Sequence, residues 1–272
     1  MPVANPLAFS HLSRNSPNPP EETVDFANLN RVFPGKRLLP LFGSMETTDV
    51  SLTMKIASVL SDQVIQRCSC LLDYHGQRRG MALKKMLYNT EKESSEMARI
   101  FGLGILHDPV GGGSVGSGGL SGSTGYAEKL GIPGITPEMG GGGHSERFEA
   151  VCEEMGAQGT RNVMSYLGMV DIEIKLPEKQ FYFRKAPHVR ATVGGYLVSN
   201  MLPEDVGVGR PTREVESGEA LGTVYNPYTL EEEEQLKAPV DGLLYACRVS
   251  GPIDPQGETF AVADFEGSKW IE

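Results

Sequence analysis

Residues 68–76 read Cys68-Ser69-Cys70-Leu71-Leu72-Asp73-Tyr74-His75-Gly76, an apolar run that breaks off into Asp-Tyr-His-Gly. A short apolar run bounded by turn residues suits a strand of a parallel sheet, buried on both faces. In open α/β sheets, ligands bind just beyond the carboxyl ends of the strands, which is where His75 falls. Asp73, two residues earlier, is placed to orient the imidazole or to lie beneath it. A strand ending in a hydrogen-bonded histidine without function is the alternative reading of this stretch by itself.

The flanking sequence supports an α/β reading. Thr47–Arg67 carries Val50, Met54, Ala57 and Val64 on one stripe with Leu60 beside it, the pattern of an amphipathic helix feeding the strand. Thr90-Glu91-Lys92-Glu93 is a capping box opening a helix with Met97, Ile100 and Phe101 on its apolar side, and Leu103–His107 reads as a short strand. Residues 109–125 are Gly/Ser-rich without the order of a phosphate-binding loop, so a mobile loop near the site is expected. A short helix over Tyr126–Leu130 precedes Gly131–Gly140, a second strand that ends in an acidic residue, Glu138, before glycines 140 to 143. A buried carboxylate at a strand end is a general-base candidate, with an ordinary charged loop residue as the alternative. Ser145 then caps a helix carrying Phe148, Val151, Cys152 and Met155, with a break expected near Gly156–Gly159.

From Val170 onwards helical periodicity ends. Ile172-Glu173-Ile174-Lys175-Leu176 alternates as a strand does, and an internal repeat follows. Ala186-Pro187 with Gly194–Leu197 is echoed by Ala238-Pro239 with Asp241–Leu244, and Ser217–Leu221 by Gln256–Phe260. Two such hairpin units predict a small barrel or sandwich with pseudo-twofold symmetry. Glu231–Glu234 reads as a solvated loop. The domain division is therefore an α/β domain over 1–175 and a β-domain over 176–272.

Composition narrows the function classes. The 272 residues are 39% hydrophobic and carry a formal charge of −10, which argues against a nucleic-acid or anionic-membrane partner. No run of 18 apolar residues and no signal peptide is visible, so a cytoplasmic protein is expected. Cys68, Cys70, Cys152 and Cys247 fit neither a disulfide framework nor a zinc ribbon and read as buried free thiols. Arg14, Asn30 and Arg31 lie in a loop whose donors would suit a carboxylate, although plain surface arginines remain the alternative.

Taken together the motifs resemble the succinylglutamate desuccinylase/aspartoacylase family of zinc hydrolases, relatives of the metallocarboxypeptidases. The matching stretches are Asn5-Pro6, Arg14 with Ser16-Pro17, Asn28–Gly35 (NLNRVFPG), Asp73-Tyr74-His75-Gly76, Gly131–Gly141 and Asn162 through Met169. The later repeat resembles the family's C-terminal biotinyl/lipoyl-like β-domain, so the resemblance covers essentially the whole chain. It is most similar to the branch that removes acyl groups from N-acyl amino acids. The resemblance implies a carboxypeptidase-like mixed sheet with flanking helices, a small all-β barrel-sandwich domain, and hydrolysis of an amide bond in a small N-acyl amino acid. It also implies one zinc ion with His75 as a ligand, Glu138 as general base, Arg14 polarising the scissile carbonyl, and Asn30 and Arg31 holding the substrate carboxylate. The family's other two zinc ligands belong to an H-G-x-E motif upstream of Asn-Pro, and Met1 stands close to that point. An N-terminally truncated family member, weak in zinc binding and turnover, is thus expected. The rival is a remnant or binding protein that keeps the carboxylate pocket without the metal, and a homo-oligomer is compatible with either. A carrier role for the β-domain is disfavoured, because no lysine lies at the repeats' tips.

Overall fold

The computed structural model describes residues 3–11, 13, 15, 28–36, 50–77, 80–108, 122–141 and 144–272. Five α-helices occur among them: α1 (Pro6–Ser10), α2 (Leu52–Gln63), α3 (Lys92–Phe101), α4 (Ser123–Lys129) and α5 (Glu146–Tyr166). The first strands are β1 (Leu71–Leu72), β2 (Met81–Tyr88), β3 (Ile105–His107) and β4 (Gly134–Gly140). Next come β5 (Gln180–Phe183), β6 (His188–Arg190), β7 (Gly195–Ser199), β8 (Glu214–Val215) and β9 (Ala220–Tyr225). The last are β10 (Glu232–Lys237), β11 (Gly242–Arg248), β12 (Gly251–Ile253), β13 (Glu258–Asp264) and β14 (Lys269–Ile271). No described helix is long and apolar enough to cross a membrane. The chain forms two units, one from Met1–Asp73, Tyr88–Ser95 and Gly112–Thr136, the other from Tyr74–Leu87, Glu96–Gly111 and Pro137–Glu272.

In the first unit, Ser51 caps α2 by accepting from the Met54 N–H at 3.1 Å. Ala57 and Leu60 of α2 pack with Phe33, Ile65, Tyr126, Ala127 and Ile132. The helix is shorter than the apolar stripe predicts, because Val64 leaves helical geometry and Ile65–Arg67 continues as a 3₁₀ turn. Gly35 explains the Pro-Gly stop. Its φ is +81°, and a Cβ there would sit 2.2 Å from the Met54 carbonyl oxygen. The predicted strand shrinks to Leu71–Leu72, paired in parallel with Gly134 and Ile135, and both leucines are half-buried. Cys68 and Cys70 therefore lie in the connection and not on one strand face. They are half-buried, whereas Cys152 and Cys247 are buried.

The second unit holds a sheet ordered β14-β5-β3-β2-β11-β13-β6, with β8 added to β11. The β2/β3 and β3/β5 pairs are parallel, and β2/β11, β11/β13, β13/β6 and β14/β5 are antiparallel. A separate antiparallel sheet runs β10-β9-β7-β12. The repeat is real but divided between the sheets, since β7 pairs β9 in the smaller one and β11 pairs β13 in the larger. Leu197, Leu221 and Val224 meet Leu244, Phe260 and Val262 in one core, while Leu243, Tyr245 and Ala246 join Phe181 and Phe183 in another. Side chains of β11 enter both cores, with a register shift between Leu244 and Ala246 that leaves Tyr245 and Ala246 in the same one, so a strand covered on both sides reads as a continuous apolar run.

Three expectations change. Ile172–Leu176 alternates yet forms no strand and is mostly exposed. Glu232–Glu234 belong to β10, an edge strand whose charges discourage further pairing. Helix α5 runs unbroken through Gly156 and Gly159, because these glycines make room for neighbours. A Cβ at Gly159 would lie 2.4 Å from the Phe101 ring.

Candidate active site

Beyond β1 the chain stays extended beside β4. The His75 N–H donates to Pro137 O at 3.1 Å and the Met139 N–H to His75 O at 3.2 Å, a parallel bridge that sets His75 against Glu138. Their side chains meet at 3.4 Å, His75 Nδ1 to Glu138 Oε1. An ionised carboxylate only accepts, so the proton of this hydrogen bond is on Nδ1. The second carboxylate oxygen is 3.4 Å from Lys85 Nζ of β2. The side chains of His75, Lys85 and Glu138 are 18%, 13% and 4% exposed, so this charge cluster is largely out of water.

Burial alone would raise the Glu138 carboxyl. The hydrogen bond from His75 and the Lys85 charge outweigh it and hold the group below the usual carboxylate range. Lys85 also lies 5.1 Å from the Tyr245 ring centroid, and the Tyr245 hydroxyl pairs with His188 Nε2 at 3.2 Å. His75, Glu138, Lys85, Tyr245 and His188 therefore form a polar row that meets, at Tyr245, the core of Met81, Leu83, Ile105, Phe181 and Phe183. Burial pushes the Tyr245 hydroxyl up. His107 stacks on Phe183 at 4.5 Å. Burial, then the Lys85 charge, lower it to about 4, so it is neutral at neutral pH.

The arrangement holds a buried, ionised carboxylate, and the question of a metal turns on the donors around it. Catalytic zinc takes three protein donors and keeps one open position. Among the described residues no group of three or more His, Cys, Asp or Glu side chains is placed to hold a metal ion. His75 alone among them matches the predicted ligand set, and an ammonium group shares its carboxylate neighbour. The described residues by themselves therefore do not make up a complete zinc site.

Asn30 and Arg31 belong to the first unit, in a 3₁₀ turn Leu29–Arg31 that Asn28 caps through the Asn30 N–H at 3.0 Å. Asn30 is half-buried and its backbone leaves the helical region (φ −79°, ψ 22°). Arg31 is exposed, and its guanidinium donates to Asn30 O at 3.0 Å. Arg14 lies outside the described residues. Asp73, expected to serve the imidazole, accepts a hydrogen bond from the Ser123 hydroxyl. Lys85, Tyr245 and Ser123 escaped the sequence reading. Only Lys85 left a trace there: the run Met81–Tyr88, apolar on either side of Lys84-Lys85 and bounded by Gly80 and Asn89, is a strand signal.

Two clefts lie nearby. One of about 450 Å³ is lined by Tyr74, His75, Met139, Cys152, Gly156 and Thr160, with the Tyr74 hydroxyl donating to Gly156 O at 3.0 Å. Another of about 480 Å³, lined by Phe101, Leu103, Met155 and Lys175 among others, holds none of the candidate site residues.

Solved structures share this fold. The product-bound ectoine utilization protein EutE (DoeB) of Ruegeria pomeroyi is 22% identical, with a TM-score of 0.74 over 97% of this chain and 74% of that one. A succinylglutamate desuccinylase/aspartoacylase from Rhodobacter sphaeroides is 18% identical, with a TM-score of 0.72 over 100% and 74%. Murine aminoacylase 3, as a point mutant, is 14% identical with a TM-score of 0.53 over 99% and 82%. Curated protein sequences yield no match. The fold class is thus that of these structures, a mixed α/β sheet followed by an all-β part. The model of the succinylglutamate desuccinylase/aspartoacylase catalytic domain matches residues 1–167, and the chain belongs to that family, one of acyl-amino-acid amidohydrolases.

Proposed function

We propose that this protein hydrolyses the amide bond of an N-acyl amino acid or a similar small carboxylate. The observation that carries the reading is Glu138, a carboxylate 3% exposed yet held ionised by His75 and Lys85 at 3.4 Å each. A buried, pre-ionised carboxylate can take a proton from water and return it to the leaving amine. Arg14 would polarise the scissile carbonyl and stabilise the oxyanion. Asn30 and Arg31 would hold the substrate carboxylate, the arginine through its planar donor fork. His75 would be one zinc donor. Among the described residues no three such donors gather at one point, so no step here is routed through a metal.

Glu138→Gln tests the assignment of the base. It should lower turnover of N-acetyl amino acids by about 10²–10⁴-fold with the fold intact by circular dichroism. Unchanged turnover would place the base elsewhere. Zinc titration of the wild type against His75→Ala tests the metal assignment, and equal binding by the two would refute it. An N-acyl amino acid that binds without turnover, in wild type as in Glu138→Gln, would favour the rival reading of a carboxylate-binding protein.

A further inference from the structure

Ser123 is the first residue of α4, after Gly122, which offers no side-chain cap. It is 8% exposed and binds two segments far from it in sequence. Its backbone N–H donates to Asn30 Oδ1 at 3.0 Å, across 93 positions. Its hydroxyl donates to Asp73 Oδ2, across 50 positions. The residue thus joins the NLNR turn to the Asp-Tyr-His stretch, two of the motifs that mark the family, and no role had been expected of it.

We propose that Ser123 is a positioning residue that sets Asn30 for carboxylate recognition. The inference rests on the reading that Asn30 and Arg31 hold the substrate carboxylate. A backbone N–H can only donate, so the Asn30 atom facing Ser123 is the amide oxygen, whatever rotation is assigned to the side chain. With the oxygen committed there, the NH₂ group is turned away from Ser123. A carboxylate only accepts, and it needs donors from its recognition residues. A flipped Asn30 would present its oxygen to the anion and repel it. The Asn30 backbone is held as well, through the Asn28 Oδ1 bond to its N–H at 3.0 Å, so the side chain keeps little freedom to compensate. Ser123 therefore confers preference for a carboxylate over a neutral carboxamide.

Ser123→Pro removes the N–H that Asn30 accepts together with the hydroxyl that Asp73 accepts, and Ser123→Ala removes the hydroxyl alone. Proline suits the first helical position, where its missing donor is not needed for helix bonding. Gly122, at φ −83° and ψ 170°, already has the extended geometry that precedes proline. The probes are N-methylsulfonylglycine, an N-acyl amino acid mimic that resists hydrolysis, and its carboxamide, with both affinities read by calorimetry on the full chain. Wild type should prefer the carboxylate. Ser123→Pro should cut that preference about 10–100-fold, the value of a hydrogen bond to a charged group. Ser123→Ala, which keeps the N–H, should recover the preference relative to Ser123→Pro. A Ser123→Pro protein that melts like wild type and keeps its preference overturns the proposal. If that variant fails to fold, Asn30→Asp decides. It still accepts from Ser123 but offers oxygen in place of NH₂, and retained preference would overturn the proposal. Asn30→Ala separates the two readings. Weakened carboxylate binding in Asn30→Ala with no effect in Ser123→Pro overturns the role of Ser123 alone. No effect of Asn30→Ala overturns the carboxylate reading and this inference with it.

Discussion

Removing the Lys85 charge by Lys85→Met leaves the Glu138 carboxylate with His75 as its remaining close charge partner in this cluster. Coulomb's law at 3.4 Å with an effective dielectric constant of about 20 gives about 5 kcal/mol for the pair, an upper figure because the partners are not wholly dry. Glu138 can escape part of that loss by taking up a proton, so a coupling of about 1–4 kcal/mol is expected. The assay is a double-mutant cycle in urea at pH 7 with wild type, Lys85→Met, Glu138→Gln and the double variant. The Gln side chain keeps the volume of Glu138 and removes its charge. Lys85→Met alone should therefore be clearly destabilising, and much less so in the Glu138→Gln background. Additivity of the two changes within about 0.5 kcal/mol would refute the ion pair as an energetic unit.

Lys84 is buried and donates to Gly207 O at 2.8 Å, and burial lowers its pKa from 10.5 to about 8, a gap of about 3 kcal/mol. Between about pH 8 and about pH 10.5 the unfolded chain binds the proton that the folded chain has released, so wild type should gain stability over Lys84→Met across that window. Parallel stability–pH curves would contradict this. His107, lowered by burial to about 4, acts at the acid end. As pH falls from about 6.5 to about 4, wild type should lose about 3 kcal/mol that His107→Gln retains, read by urea midpoints across that range. Gly159→Ala sets a methyl group 2.4 Å from the Phe101 ring and should cost about 1–3 kcal/mol, measured by thermal unfolding. A neutral or stabilising result would show that the helix and ring can part freely.

His75 and Glu138 were each legible as candidates before any coordinates, because each lies where an apolar run meets turn chemistry, whereas their contact was not. Ends of buried strands are marked locally, by Asp73-Tyr74-His75-Gly76 in one case and by Pro137 and the glycines after Glu138 in the other. The helices were legible for the same reason. Ser145 caps α5 as expected, accepting from the Phe148 N–H. Glycines misled at Gly156 and Gly159, since a missing side chain marks a close approach as readily as a break, and only the neighbour tells which. Alternation misled at Ile172–Leu176, where no partner strand receives it.

Local pattern was enough to read the family, the all-β character beyond residue 176 apart from a short 3₁₀ turn, and His75 and Glu138 as candidates. These depend on periodicity of 2 or 3.6 and on turn chemistry, which act over a few residues. The tertiary structure alone decided that Lys85 faces Glu138, that Tyr245 lies under Lys85, and that Ser123 holds Asn30. Those neighbours come from strand order and register, which the packing of the whole sheet selects, and from a contact spanning 93 positions. A period of two tells which face a side chain takes but not which strand lies beside it.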